Sequence, residues 1–197
     1  MLNLKEITLQ DINSIEFDTT IDNVTLYQQY YSQPPGTNHY RLFAYMSTLL
    51  EDGSLIGDVG TRYGTSAFAF SFNPKVKVIS YNLEQEPLGL KVVPPNIEFR
   101  IKDVMQDDDI LNASIISIDT WHNGDWELQF FDWLISNNWH GITVWDDTLR
   151  NTVWPHSEEP GQFGMRDIFL KGVEERGYEI IDLTHIGHIT GTTGIIL

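Results

Sequence analysis

The run ASIISID (residues 113–119) is almost continuously apolar until it meets a lone aspartate. A strand with one wet face alternates apolar and polar residues, whereas a run like this one suits a strand buried on both faces of a parallel sheet. Such a strand needs a layer on each side, and the remaining chain supplies the parts. SLIGDVG (54–60), KVKVISYNL (75–83), IEFRIKDV (97–104) and GITVWDD (141–147) read as further strands. Between them lie helix-like segments. HYRLFAYMSTLLEDG repeats Leu42, Phe43, Met46, Leu49 and Leu50 at helical spacing, and TSAFAFSF, residues 126–135 and residues 165–176 follow the same logic.

YEIIDLT and TGTTGIIL then close the series with no helix between them, which predicts an antiparallel hairpin. The alternation predicts an α/β fold: a doubly wound, mostly parallel sheet with helices on both faces. Ahead of it, residues 23–33 read as a short aromatic-rich helix stopped by Pro34-Pro35-Gly36. Residues 1–38 are therefore expected to form an N-terminal helical cap, covering the site or mediating association into an oligomer, and residues 39–197 the α/β domain.

Composition narrows the function classes. A length of 197 residues favours one sizeable core. With 28 acids against 12 scattered bases, the surface repels phosphate backbones, so no nucleic acid is expected as a partner. The absence of cysteine excludes disulfides and thiolate ligands. No apolar run approaches the ~20 residues of a membrane span, and MLNLKEITLQ has no signal-peptide core. A cytoplasmic protein with no membrane partner is the expectation.

In doubly wound folds, ligands sit at the carboxyl ends of the strands. The first strand runs into LIGDVGTRYGTSAFAF, where Gly60 permits a sharp turn and close approach before a helix N-terminus. The spacing is G-x-x-x-G after an acid, not the G-x-G-x-x-G of dinucleotide sites, and a nucleoside-type ligand with a polar or positive end fits it better. A plain strand-to-helix turn is the competing reading. Tyr81-Asn82, Asp103 and Asp119 fall at the next strand ends. Asp119 is followed by His122, and the acid pair Asp146-Asp147 ends the fifth strand. Each has a bland alternative: Asp119 as a helix cap, His122 as a turn histidine, Asp146-Asp147 as a solvated strand exit.

Taken together, these residues resemble the class I S-adenosylmethionine-dependent methyltransferases, whose fold is Rossmann-like, over roughly residues 40–197. DVGTRYGTSA resembles the first motif of the small-molecule O-methyltransferases. The resemblance implies that Asp58, Gly60, Thr61, Tyr63, Gly64 and Ser66 surround the cofactor, with Asp58 and Gly60 near its methionine part. Asn82 matches the ribose position, where the family usually has a carboxylate; Glu84 is the nearby substitute. Asp103 matches the adenine-contacting acid, and Asp119 borders the cofactor.

The second half resembles the metal-dependent sugar O-methyltransferases of macrolide tailoring and their cephalosporin-hydroxylase-like relatives, whose terminal hairpin HIGHITGTTGIIL also resembles. This implies Mg²⁺ or a similar divalent cation on Asp119, Asp146 and Asp147, with His122 as catalytic base beside Asp119. A cation lowers the pKa of a bound hydroxyl, and a neutral histidine takes its proton. His185 and His188 are expected to orient or cover the site, and Trp121, Trp145 and Trp154 to line the acceptor pocket or serve as core.

The implied function is methyl transfer to a hydroxyl of a sugar or other small polar acceptor. Asn82 motivates the alternative, a catalytically degenerate cofactor-binding or partner protein. An iron-dependent hydroxylase ranks last, because two histidines beside one carboxylate are not evident in the sequence.

Overall fold

A computed structural model of the chain describes residues 2–17, 38–60, 62–85, 88–149 and 164–197. Five parallel strands are β1 (Leu55–Val59), β2 (Lys77–Asn82), β3 (Ile97–Ile101), β4 (Ala113–Ile118) and β5 (Ile142–Asp146). β6 (Ile180–Asp182) and β7 (Thr192–Ile196) follow, and the sheet order is β3-β2-β1-β4-β5-β7-β6. β7 is antiparallel to both β5 and β6. The hairpin expected at residues 178–197 therefore forms, and its second strand is the one inserted beside β5. The chain reverses strand order at β1, so the ends of β1 and β4 flank the switch point where such folds bind ligands.

The helices are α1 (Leu9–Asn13), α2 (His39–Thr48), α3 (Thr65–Phe70), α4 (Asp125–Ser136) and α5 (Lys171–Glu175). The helix expected over 165–176 starts as π-helical turns at Gly164–Leu170 before tightening into α5. Adjacent apolar residues of the central strands feed opposite layers. Ile115 packs with Phe43, Met46 and Phe70 of α2 and α3, while Ile116 packs with Phe130, Phe131 and Leu134 of α4. That is the two-sided burial implied by the apolar run of β4.

Leu4, Ile7 and Ile12 are buried in the same core as α2 and α3. Thr8 and Asp11 cap α1 reciprocally, each side chain bonding the other's backbone N–H. The helix expected at residues 23–33 lies outside the described residues. Among the described residues, no helix is long and apolar enough to cross a membrane.

Candidate active site

A cleft of about 700 Å³ opens at the carboxyl ends of β1, β2 and β4. Gly60 shapes its floor. With φ +94° it is in the left-handed region, and a Cβ there would sit 1.8 Å from the carbonyl oxygen of Asp119. Only glycine lets the ends of β1 and β4 approach this closely. The approach is stitched by Asp119 N–H donating to the Val59 carbonyl (2.9 Å) and Gly60 N–H donating to that of Tyr81 (3.0 Å).

Among the residues expected to hold the cofactor, Gly60, Asn82, Asp103 and Asp119 line this cleft, as does Glu84. Asn82 Oδ1 accepts from the Leu83 N–H (3.1 Å), and Asp103 caps a 3₁₀ turn through the Met105 N–H (3.0 Å). Asp58, Tyr63, Gly64 and Ser66 are not among the lining residues. Asp58 is buried within β1 and accepts a hydrogen bond from Ser80 Oγ (2.5 Å) on the neighbouring strand. Tyr63 is exposed, Gly64 precedes α3 and Ser66 is half-buried on it. Thr61 lies outside the described residues.

At the β4 and β5 side the cleft meets a cluster of carboxylates and imidazoles. His122 Nε2 is 3.2 Å from Asp119 Oδ1 and 3.8 Å from Asp147 Oδ2. His188 Nδ1 is 3.6 Å from Asp147 Oδ1, and the Thr190 hydroxyl bonds both His188 and Asp147. Asp146, buried at the end of β5, accepts from Thr192 Oγ1 (3.2 Å). Two groups of donor atoms, Asp119/His122/Asp147 and Asp146/Asp147/His188, each converge within metal-ligand range and share Asp147. The three aspartates expected as ligands thus belong to one cluster, joined by two ring nitrogens.

Burial, then the negative charges of Asp119 and Asp147, push the Asp146 carboxyl up to about 7. Burial alone would lower His188, but the bond to Asp147 and the charges of Asp146, Asp147 and Asp119 outweigh it and raise its pKa. Behind it, His39 of α2 meets the His188 ring edge-on at 4.7 Å. Burial and the neighbouring His188 push His39 down to about 3, against a smaller upward pull from Asp147, so His39 is neutral at ordinary pH.

Two turns bring these groups together. His122 (φ +59°) and Asp147 (φ +54°) occupy the left-handed region, which costs a non-glycine residue about 1 kcal/mol or more and is over-represented at functional sites. The loop between β6 and β7 is zipped along the extension of β5 by Leu149 N–H donating to the Thr190 carbonyl (2.7 Å). Gly191, at φ +106°, permits this, since a Cβ there would meet Thr148 Oγ1 at 2.5 Å.

His188, His39 and Glu127 are site features that the sequence reading did not assign to the cluster. Nothing local marks the first two, whose partners are distant in sequence. Glu127 carries a signal: it stands three residues after Gly124 at the start of α4, the spacing of a capping box. Among the expected aromatic lining, Trp121 borders the cleft and is 79% exposed. Trp145 is fully buried, its Nε1 donating to Thr143 Oγ1 (2.8 Å), and belongs to the core. Trp154 lies outside the described residues.

Comparison with known proteins places the fold. The chain is similar to the solved structure of a Corynebacterium glutamicum protein, at 11% identity and a TM-score of 0.63, covering 93% of this chain and 92% of that one. It is similar to a Staphylococcus aureus protein described as a caffeoyl-CoA O-methyltransferase, at 13% identity and TM-score 0.62, covering 91% and 92%. A Nostoc punctiforme protein described as an O-methyltransferase gives 8% identity and TM-score 0.54, covering 96% and 66%. No protein-family model and no curated protein matches the chain. The chain therefore has the Rossmann-like α/β fold that these solved structures share. At such identities the likeness speaks for the architecture, and the chemistry has to be argued from the site.

Proposed function

We propose that the chain is an S-adenosylmethionine-dependent O-methyltransferase acting on a hydroxyl of a small polar acceptor, such as a sugar, with the help of a divalent cation. The observation that carries this reading is continuity: the cleft over Gly60, Asn82 and Asp103 runs directly into the Asp119/His122/Asp147 cluster. Methyl transfer needs such an arrangement, with the sulfonium and the nucleophile held in line.

The donor set fits a cation. Oxygen ligands suit Mg²⁺ or Mn²⁺, and the imidazole of His188 brings a nitrogen donor within reach, which leaves the role of base to His122. Among the described residues, the ion-pair partners of Asp119 and Asp147 are histidines, and Asp146 is pushed up to about 7 by burial and by those neighbours. A bound cation would place positive charge beside these carboxylates and lower the pKa of an acceptor hydroxyl.

The chain's own residues then do the rest. Asp119, Asp146 and Asp147 hold the acceptor end of the cleft. His122, as a neutral imidazole, accepts the hydroxyl proton, and the carboxylate of Asp119 beside Nε2 stabilises the imidazolium that results. S-adenosylmethionine held over Gly60, Asn82 and Asp103 would supply the methyl group to the oxygen that His122 deprotonates. The exposed indole of Trp121 offers an acceptor a flat apolar face at the rim.

Asp119→Ala and His122→Ala, assayed for transfer of a labelled methyl group to a panel of hydroxylated small molecules and for cofactor binding by calorimetry, test the reading. The expected result is retained cofactor affinity with transfer reduced by about 100-fold or more, the usual weight of a general base. Undiminished transfer in both variants removes these roles. The alternative, a cofactor binder without transferase activity, draws support from Asn82, whose Oδ1 is already engaged by the Leu83 N–H. A parent chain whose melting temperature rises with S-adenosylmethionine, yet which methylates no acceptor, would favour that alternative.

A further inference from the structure

Beneath the arm carrying Asp119 and His122 lies a carboxylate that the proposed reaction does not use. Glu127 is fully buried, at 0% exposure. Its Oε1 accepts from the Thr120 hydroxyl (2.7 Å) and from the His122 N–H (2.9 Å), and its Oε2 accepts from the Gly124 N–H (2.8 Å). A buried charge is tolerated only when it is bonded this fully.

The bond to Gly124 is an ordinary capping-box contact, an acid at the third helical position reaching back to the cap residue. The other two bonds go further up the loop, to residues no helix cap requires. They grip the arm on both sides of Trp121, and one of them ends on the backbone of His122. That residue is held at φ +59°, from which its Nε2 meets Asp119 Oδ1 at 3.2 Å. Released from that grip, a histidine gains by returning to negative φ, which swings the ring away from the carboxylates.

We infer that Glu127 is a positioning residue for the acidic centre: it fixes the Asp119–His122 arm through Thr120 and His122, beyond its duty as a helix cap. This rests on the proposed function only for what the arm does. Glu127→Gln is a severe test despite its similar shape. An amide has one acceptor oxygen, so either orientation of the Gln side chain turns its NH₂ toward a backbone N–H, that of Gly124 or that of His122. Thr120→Val is the milder companion; it removes one donor and leaves the cap intact.

Both variants of the full chain would be followed by Mn²⁺ calorimetry, melting temperature and NMR amide exchange at His122. The expected outcome is faster exchange at His122 and Mn²⁺ affinity lower by about 10-fold or more, the size of effect seen when an outer partner of a ligand is removed. A lower melting temperature with unchanged Mn²⁺ affinity reduces Glu127 to a helix cap and overturns the inference. So does unchanged exchange at His122. Should Glu127→Gln fail to fold, Thr120→Val carries the same readouts. Should the parent bind no Mn²⁺, the metal clause of the proposed function falls, and amide exchange at His122 alone decides whether Glu127 holds the arm.

Discussion

Two clusters of carboxylates stand in this acidic chain, and they are solved in opposite ways. Around Arg100 on β3, Glu98, Asp107 and Asp109 each place an oxygen 2.7 Å from the guanidinium. Arg100 and Lys77 hold Glu98 down to about 2. Burial pushes Asp107 up, but Arg100, the Asp109 N–H and Lys102 outweigh it and its pKa is lowered. At the ends of β4 and β5 the partners are histidines, and Asp146 moves the other way, up to about 7. A carboxylate cluster that contains its own cation is finished structure. The other, whose partners among the described residues are histidines and which lies beside the cleft, is the one the proposed function reads as a cation site.

Substitution of the carboxylate common to both donor groups is the strongest way to break that contrast. Asp147→Asn is expected to lower Mn²⁺ affinity by on the order of 100-fold, at least as much as losing an outer partner of a ligand costs. Calorimetry that finds equal affinity would place the cation elsewhere or nowhere. On the other side, Arg100→Leu leaves three carboxylates facing one another and is expected to cost about 2 kcal/mol in denaturant unfolding, with Mn²⁺ affinity untouched. A neutral result would mean that the Arg100 cluster is ornament on the surface.

A third expected effect is a pH dependence, sharpened by comparing parent with Asp146→Asn in the absence of metal. Because the folded-state pKa of Asp146 is raised from 3.8 to about 7, its ionisation is disfavoured by folding. Stability from this group is fully present below about pH 4 and is lost as pH rises through about 7. The variant should therefore gain on the parent as pH climbs through that window, and the gain should shrink when divalent metal is added. A melting-temperature difference that is flat with pH would show that Asp146 is not crowded by its neighbours.

The sequence foretold the fold wherever burial imposed a period. β4 was legible because two-sided burial leaves an apolar run, and the closing hairpin because two strand-like runs had no helix between them. The π-helical start of the 164–175 segment was not legible, since its side-chain pattern passes for ordinary helix. In the site, Asp119, Asp146 and Asp147 could be picked out because strand ends deliver them in order. His188, expected only to orient or cover the site, could not be tied to Asp147, because it reaches it through a loop closed by Gly191 and Thr190 in three dimensions. Asp58, expected near the cofactor, accepts a bond from Ser80 on the neighbouring strand, a contact that its place in a glycine-rich motif does not announce. Glu127 lay hidden in plain view, for its capping-box spacing says nothing about the bonds it sends past the cap.

The insertion of β7 between β5 and β6 has a consequence in time. β5 ends on Asp146, yet the groups that meet it and Asp147 from the far side, Thr192, Thr190 and His188, arrive only when β7 docks. Pairing β5 with β7 joins residues some fifty positions apart in the chain, such as Ile142 with Ile196. The β1–β4 pairing beneath Gly60 spans a similar stretch, Leu55 with Ala113, so the cleft and the acidic centre meet closure costs of the same size. Neither end of the site can be finished early on local contacts alone. A refolding experiment in which amide protection at Asp119 and at Leu149 appears in one phase would record that shared timing.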